Sequence, residues 1–210
     1  MTTSRWQLHC PEQLLNDRVV GEVCLTGQSR FPLSYTECRH EGNRLIIERE
    51  APGSACIHIP WYVERHGTQM LSTTLLAPVF GPYRLAVEIA RGTLFRLRNR
   101  FLIWENLGLI VPPALRERID EATELFRKSL AAVSQHATEE ADDIASLSIR
   151  MSLDAGRSLA DTYVEQALKV RRRLSDPPDM QLGVTCDPQL VRHNGIINRP
   201  NFIETLKRGF

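Results

Sequence analysis

The chain has 210 residues, 42% of them hydrophobic, and a formal charge of +1 at pH 7. That length and apolar content suffice for one large domain or two small ones with a proper core. The charge balance leaves no global field to draw the protein onto nucleic acid or an anionic membrane, although arginine is dense from Arg91 to Arg100.

From Trp6 to about Leu76 the sequence runs as short β-prone stretches separated by turn formers: Trp6 to His9, Val19 to Leu25, Phe31 to Cys38, Arg44 to Arg49, Ala55 to Tyr62 and Gln69 to Leu76. Gly42-Asn43 and Pro52-Gly53-Ser54 mark two of the turns. The expectation over residues 1–80 is a small antiparallel β-sandwich or curled sheet whose thin core leans on the next part of the chain. Of five cysteines, Cys10, Cys24, Cys38 and Cys56 fall in this part and Cys186 far from it, with no CxxC pair. Reduced core thiols are therefore expected, rather than a zinc ribbon or a disulfide framework.

After Pro78, Gly81 and Pro82 the apolar period changes to that of a helix. Tyr83, Val87, Ala90, Leu94, Leu97, Phe101 and Trp104 form the seam of a first helix that stops at Gly108. Beside it runs a polar stripe of Arg84, Glu88, Arg91, Phe95 and Arg98, in which Glu88 lies at helical neighbour spacing from both Arg84 and Arg91. Pro112-Pro113 opens a second helix through Leu115, Ile119, Ala122, Phe126 and Val133. A third starts after Thr138 and continues on Ile149, Leu153, Gly156, Ala160, Tyr163, Ala167, Val170 and Leu174, with Arg171 to Arg173 at its carboxyl end. Short connections predict an antiparallel three-helix bundle over 81–178 and hence an α+β chain. A strand at Leu182 to Cys186 and a short helix after Asn201 then form a tail, 179–210, that reads as the start of an incomplete further domain.

Several segments together, GSACIHIPWYVERHGTQMLSTTLL, PYRLAVEIARGTLFRLRNR, WENLGLIVP and TYVEQALKVRRR, resemble the amino-terminal region of bacterial glycoside hydrolase family 10, endo-1,4-β-xylanase-like proteins. The resemblance covers most of residues 5–186, and it implies that LGVTC and NFIETLKRGF open a (β/α)8 barrel. It also implies that the two catalytic glutamates of the family sit on later barrel strands, so no catalytic residue carries over to this chain. The expected role is a noncatalytic accessory region that binds a polysaccharide or oligosaccharide or positions the barrel; the alternative is a structural or homo-oligomerisation module.

Candidate binding residues come from these segments. Trp61 and Tyr62, at the end of a strand, offer rings for stacking on sugar faces, against a favoured reading as packing under the first helix. Tyr83, Arg84, Glu88 and Arg91 offer a polar pocket for a carboxylate or sugar hydroxyls, against a somewhat favoured reading as ion pairs that fix helix to sheet. Glu88 with Glu64 is the only acid pair that a hydrolase reading supplies. His58 and His66 make too few ligands for a metal, no cofactor motif appears, and no segment has the apolar core of a signal peptide, so the expectation is cytoplasmic, without metal or cofactor.

Overall fold

The computed structural model describes residues 3–11, 14–78 and 82–174. The tail strand and helix expected beyond residue 178 lie outside the described residues. Within them the chain is a mixed α+β fold with two sheets and, in order, β1 (Ser4–His9), α1 (Asp17–Gly21), β2 (Cys24–Thr26), β3 (Thr36–Glu41), β4 (Arg44–Arg49), β5 (Ala55–Val63), β6 (Gly67–Leu76), β7 (Tyr83–Arg84), α2 (Leu85–Asn106), α3 (Pro113–Ser134) and α4 (Thr138–Leu174). None of these helices is long and apolar enough to cross a membrane.

One sheet has the order β3-β4-β1-β7 and the other β2-β5-β6. The β3–β4 hairpin turns at Gly42, whose φ of 56° explains the glycine. β5 alternates cleanly, with Ala55, Ile57, Ile59, Trp61 and Val63 buried, as expected of a strand with one face on a core. The indole of Trp6 on β1 donates to the carbonyl of Leu76 on β6, 3.1 Å away, and so ties the two sheets together. One apolar core holds residues of both sheets together with Leu85, Val87 and Ile89 of α2 and Ala145 and Ile149 of α4. The β-rich part thus completes its core with helices that follow it in the chain, the physical answer to its small size.

Two expected strands change. In place of a strand from Val19, α1 forms because the Asn16 side chain accepts from the Val19 backbone N–H and Asp17 occupies the first turn; β2 starts only at Cys24. The strand expected from Phe31 begins at Thr36, because Tyr35 sits at φ 57°, outside strand geometry. The cysteines are free thiols as far as they are described, but they are not uniformly buried: Cys10 is enclosed, and burial pushes its thiol up to about 12, while Cys24 is exposed.

The joint between β6 and α2 is unusually close. Cys56 pairs with Leu75 but His58 with Ser72, so β6 carries one extra residue and bulges there. Thr73 repairs the ladder with its own hydroxyl, which accepts from Ile57 N (3.1 Å) and donates to Thr74 O (2.7 Å). Gly92 faces this bulge: a Cβ on it would lie 2.1 Å from Ser72 O. One turn on, the Arg96 guanidinium donates to the carbonyls of Ser72 and Thr73.

The third helical seam is rotated from expectation. α4 buries Ala141, Ala145, Ser148, Ile149, Ser152, Ala155 and Leu159, whereas Ala160, Tyr163 and Val170 are exposed. Small residues win because α4 packs against both α2 and α3, and interhelical distance is set by side-chain size at the contact. Ser148 makes this tolerable by donating across the interface to Ala122 O at 2.9 Å.

Candidate functional site

The expected polar stripe does not form one helical row. Tyr83 and Arg84 belong to β7, which pairs in parallel with Leu8 and His9 of β1, and α2 starts only at Leu85. From there Arg84 turns away from Glu88 and grips Asp142 of α4: Nε donates to Oδ1 at 3.1 Å, Nη2 donates to Oδ2, and Nη2 also donates to Thr138 O at 2.9 Å. The Tyr83 hydroxyl donates to Ala77 O at 2.9 Å. Glu88 is buried and meets Arg91 alone, with Oε2 3.0 Å from Arg91 Nε but a hydrogen bond only from Nη2, at 3.3 Å to Oε1. Burial outweighs this arginine and raises the Glu88 carboxyl above its ordinary value. The Arg91 guanidinium also lies over the Phe126 ring, 5.6 Å from its centroid. His9 stands at the edge of this cluster, and its imidazole is lowered by burial and then by Arg44 and Arg84. These contacts fasten β1, β7, α2 and α4 at one end of the molecule and consume the groups that a ligand would need.

The aromatic pair separates too. Adjacent strand residues point to opposite faces, so Trp61 is 3% exposed inside the core while Tyr62 is 62% exposed outside it. Trp61 presents no face on which a sugar could stack. Among the described residues, the most exposed aromatics, Phe31 at 73% and Tyr35 at 88%, lie instead on the loop between β2 and β3. Glu64 and Glu88 are engaged with different partners, Arg150 and Arg91. Among the described residues, no three of the histidines, cysteines and acids are grouped as a metal site.

A different arrangement emerges where α2, α4 and β6 meet. A groove of about 360 Å³ is lined from α2 by Thr93, Arg96, Leu97, Arg100 and Trp104, from α4 chiefly by Ser152, Gly156 and Arg157, and from β6 by Met70, Leu71 and Ser72. No acid lines it. The α2 residues recur at three- and four-residue steps and so share one face. Among the described residues, Arg96, Arg100 and Arg157 have no carboxylate at salt-bridge distance; Arg96 is met by backbone carbonyls, and Arg100 lies over the Trp104 ring at 5.4 Å. Although Arg96 as a residue is exposed, desolvation of its guanidinium lowers its pKa, with Cys56 opposing; arginine remains charged regardless. Trp104 stacks on Tyr163 with centroids 4.3 Å apart and planes at 17°, which fixes its ring in the wall. Ser152, 2% exposed, lies buried with a hydroxyl that has no partner. Gly156 leaves room beside Leu97, whose Cδ1 is 3.8 Å from where a Cβ would be.

The sequence carries a signal for this groove that the stripe obscured. Around Arg96 and Arg100, positions three and four residues away hold Gly92, Thr93, Asn99, Leu97, Ile103 and Trp104 and no acid. An arginine without an acidic helical neighbour is left free of local ion pairs. Which strand and which helix would close the groove was not in that local pattern. Comparison with protein-family models, with curated proteins and with solved structures finds no match to the chain.

Proposed function

We propose that the chain is a noncatalytic accessory region of a family 10-like glycoside hydrolase, built as a small β-sandwich joined to an antiparallel three-helix bundle, and that it holds its ligand in the groove between α2, α4 and β6. The observation that carries the reading is the groove itself: three arginines with no carboxylate at salt-bridge distance among the described residues, beside a fixed tryptophan and an apolar wall. Preformed, mostly apolar hollows with a few convergent polar groups are the usual form of small-ligand sites, and this one falls at the lower end of their volume range of roughly 300–1,000 Å³. The family connection rests on the sequence resemblance. In the parent protein the groove would hold a glycan chain beside the barrel.

Tryptophan fluorescence tests this directly, because Trp6 and Trp61 are enclosed and Trp104 lines the groove. Titration with xylan oligosaccharides and other soluble glycans is expected to change the emission of the protein, and Trp104→Phe is expected to abolish that change. No response across the panel would overturn the reading. The exposed apolar residues Phe95, Leu102 and Ile103 on α2 and Leu107 just beyond it favour a second reading, a homo-oligomerisation module. Light scattering that finds a monomer at all concentrations counts against it.

A further inference from the structure

We infer that the groove between α2, α4 and β6 selects a carboxylate borne on a ring, held by Arg96, Arg100 and Arg157 with the ring against Trp104. The inference rests on the reading that the groove is a ligand site, and it adds the charge and shape of the ligand.

The charge is set by what surrounds the arginines. α2 supplies two guanidiniums one turn apart, Arg96 and Arg100, and α4 adds Arg157 to the same groove. Like charges in helical neighbour positions disfavour each other, and among the described residues that line the groove none is a carboxylate; the Ser72 and Thr73 carbonyls meet Arg96 alone. Arg157 does have Asp154 and Asp161 near its other side, where all three border a second hollow, but neither acid is at salt-bridge distance from it, and Asp154 is held by His66 at 3.0 Å. An anion in the groove relieves this imbalance, and the planar fork of arginine matches the two oxygens of a carboxylate.

The shape is set by the wall. Leu97, Leu153, Met70 and the Trp104 ring, over which the Arg100 guanidinium lies, give the groove an apolar wall. Such a wall rewards a flat body with C–H or aromatic faces and gives nothing to a bare, hydrated ion. Two chemical sources share these features, a sugar acid and an aromatic acid.

The test compares four probes by tryptophan fluorescence and calorimetry: a neutral xylo-oligosaccharide, an oligosaccharide containing hexuronic acid, a naphthalene carboxylate and inorganic phosphate. The inference expects one or both ring carboxylates to bind more tightly than the neutral sugar and phosphate by about tenfold or more, the scale of a hydrogen bond to a charged group. Binding should weaken as salt rises, and Arg100→Met and Arg157→Gln should each remove most of the preference; the two variants guard against one that fails to fold. A response to the hexuronic oligosaccharide alone assigns the source to acidic glycans, and a response to the naphthalene carboxylate alone assigns it to aromatic acids. Equal binding of neutral and acidic sugars, unaffected by either variant, overturns the carboxylate inference and leaves the groove as a ligand site. Phosphate that binds as tightly as the ring carboxylates overturns the role of the wall. Silence of all four probes overturns the inference together with the reading beneath it.

Discussion

The two halves of α2 treat the same residue type in opposite ways. At the amino-terminal end Arg84 and Arg91 are paired with Asp142 and Glu88, whose carboxylates are largely buried. Beyond Gly92, the partners of Arg96 and Arg100 among the described residues are backbone carbonyls and an aromatic ring, beside an open groove. An arginine beside a carboxylate inside a joint holds elements together; an arginine without one beside a groove is available to something else. The difference lies in what α4 brings opposite each half: Asp142 near its start, and Ser152, Gly156 and Arg157 three to four turns later.

The contrast can be broken first at its boundary. Gly92→Ala places a methyl group against the Ser72 carbonyl, where backbone and not a flexible side chain must yield. Overpacking should cost about 3 kcal/mol, more than offsetting the ~1 kcal/mol that alanine gains over glycine in a helix. Urea denaturation should show the loss, while Gly156→Ala, which meets only ordinary contact with Leu97, should be neutral or more stable by up to about 1 kcal/mol.

Asp142→Ala comes next. It leaves the Arg84 guanidinium, 21% exposed, without its carboxylate, and stability should fall by about 2 kcal/mol, below the ~3–5 kcal/mol of a fully buried pair. Arg100→Met, at the other half of the helix, should change stability by less than about 0.5 kcal/mol while it impairs ligand binding. If Arg100→Met destabilised the fold as much as Asp142→Ala, the distinction between joint and groove would collapse.

The smallest effect is one of pH. The Glu88 carboxyl is harder to ionise in the fold than in the unfolded chain, because burial raises it above its ordinary 4.5 and Arg91 only partly compensates. Its charged form is therefore penalised on folding. The contribution to stability is complete below 4.5 and declines as pH rises through that value toward the higher folded one. Glu88→Gln should be more stable than the parent at pH 7, and the gain should vanish on acidification below about 4.5. Chemical denaturation across that range measures it.

Much of the element order is legible in the sequence. The strand at Arg44–Arg49 and the helices opening at Pro113 and Thr138 appear where period and punctuation put them, because strand alternation, prolines and glycines act on the backbone over a few residues. α1 was hidden by the β-branched pair Val19-Val20, although Asn16 and Asp17 had supplied its cap and first-turn charge. Tyr83 and Arg84 read as helix because their spacing fits the seam, whereas β1 had an open edge for them to pair with.

The chain by itself determined that a β-rich part is followed by three long helices and that the arginines of α2 are crowded. Tertiary structure decided which of those arginines are paired. Local spacing offered Glu88 to Arg84, but folding brought Asp142, 58 residues away, to the same guanidinium; to Arg96 and Arg100 it brought no carboxylate at salt-bridge distance among the described residues. Whether a charge is satisfied depends on neighbours that only packing can supply, since one carboxylate moved across a few ångströms of excluded water outweighs any exposed helical pair.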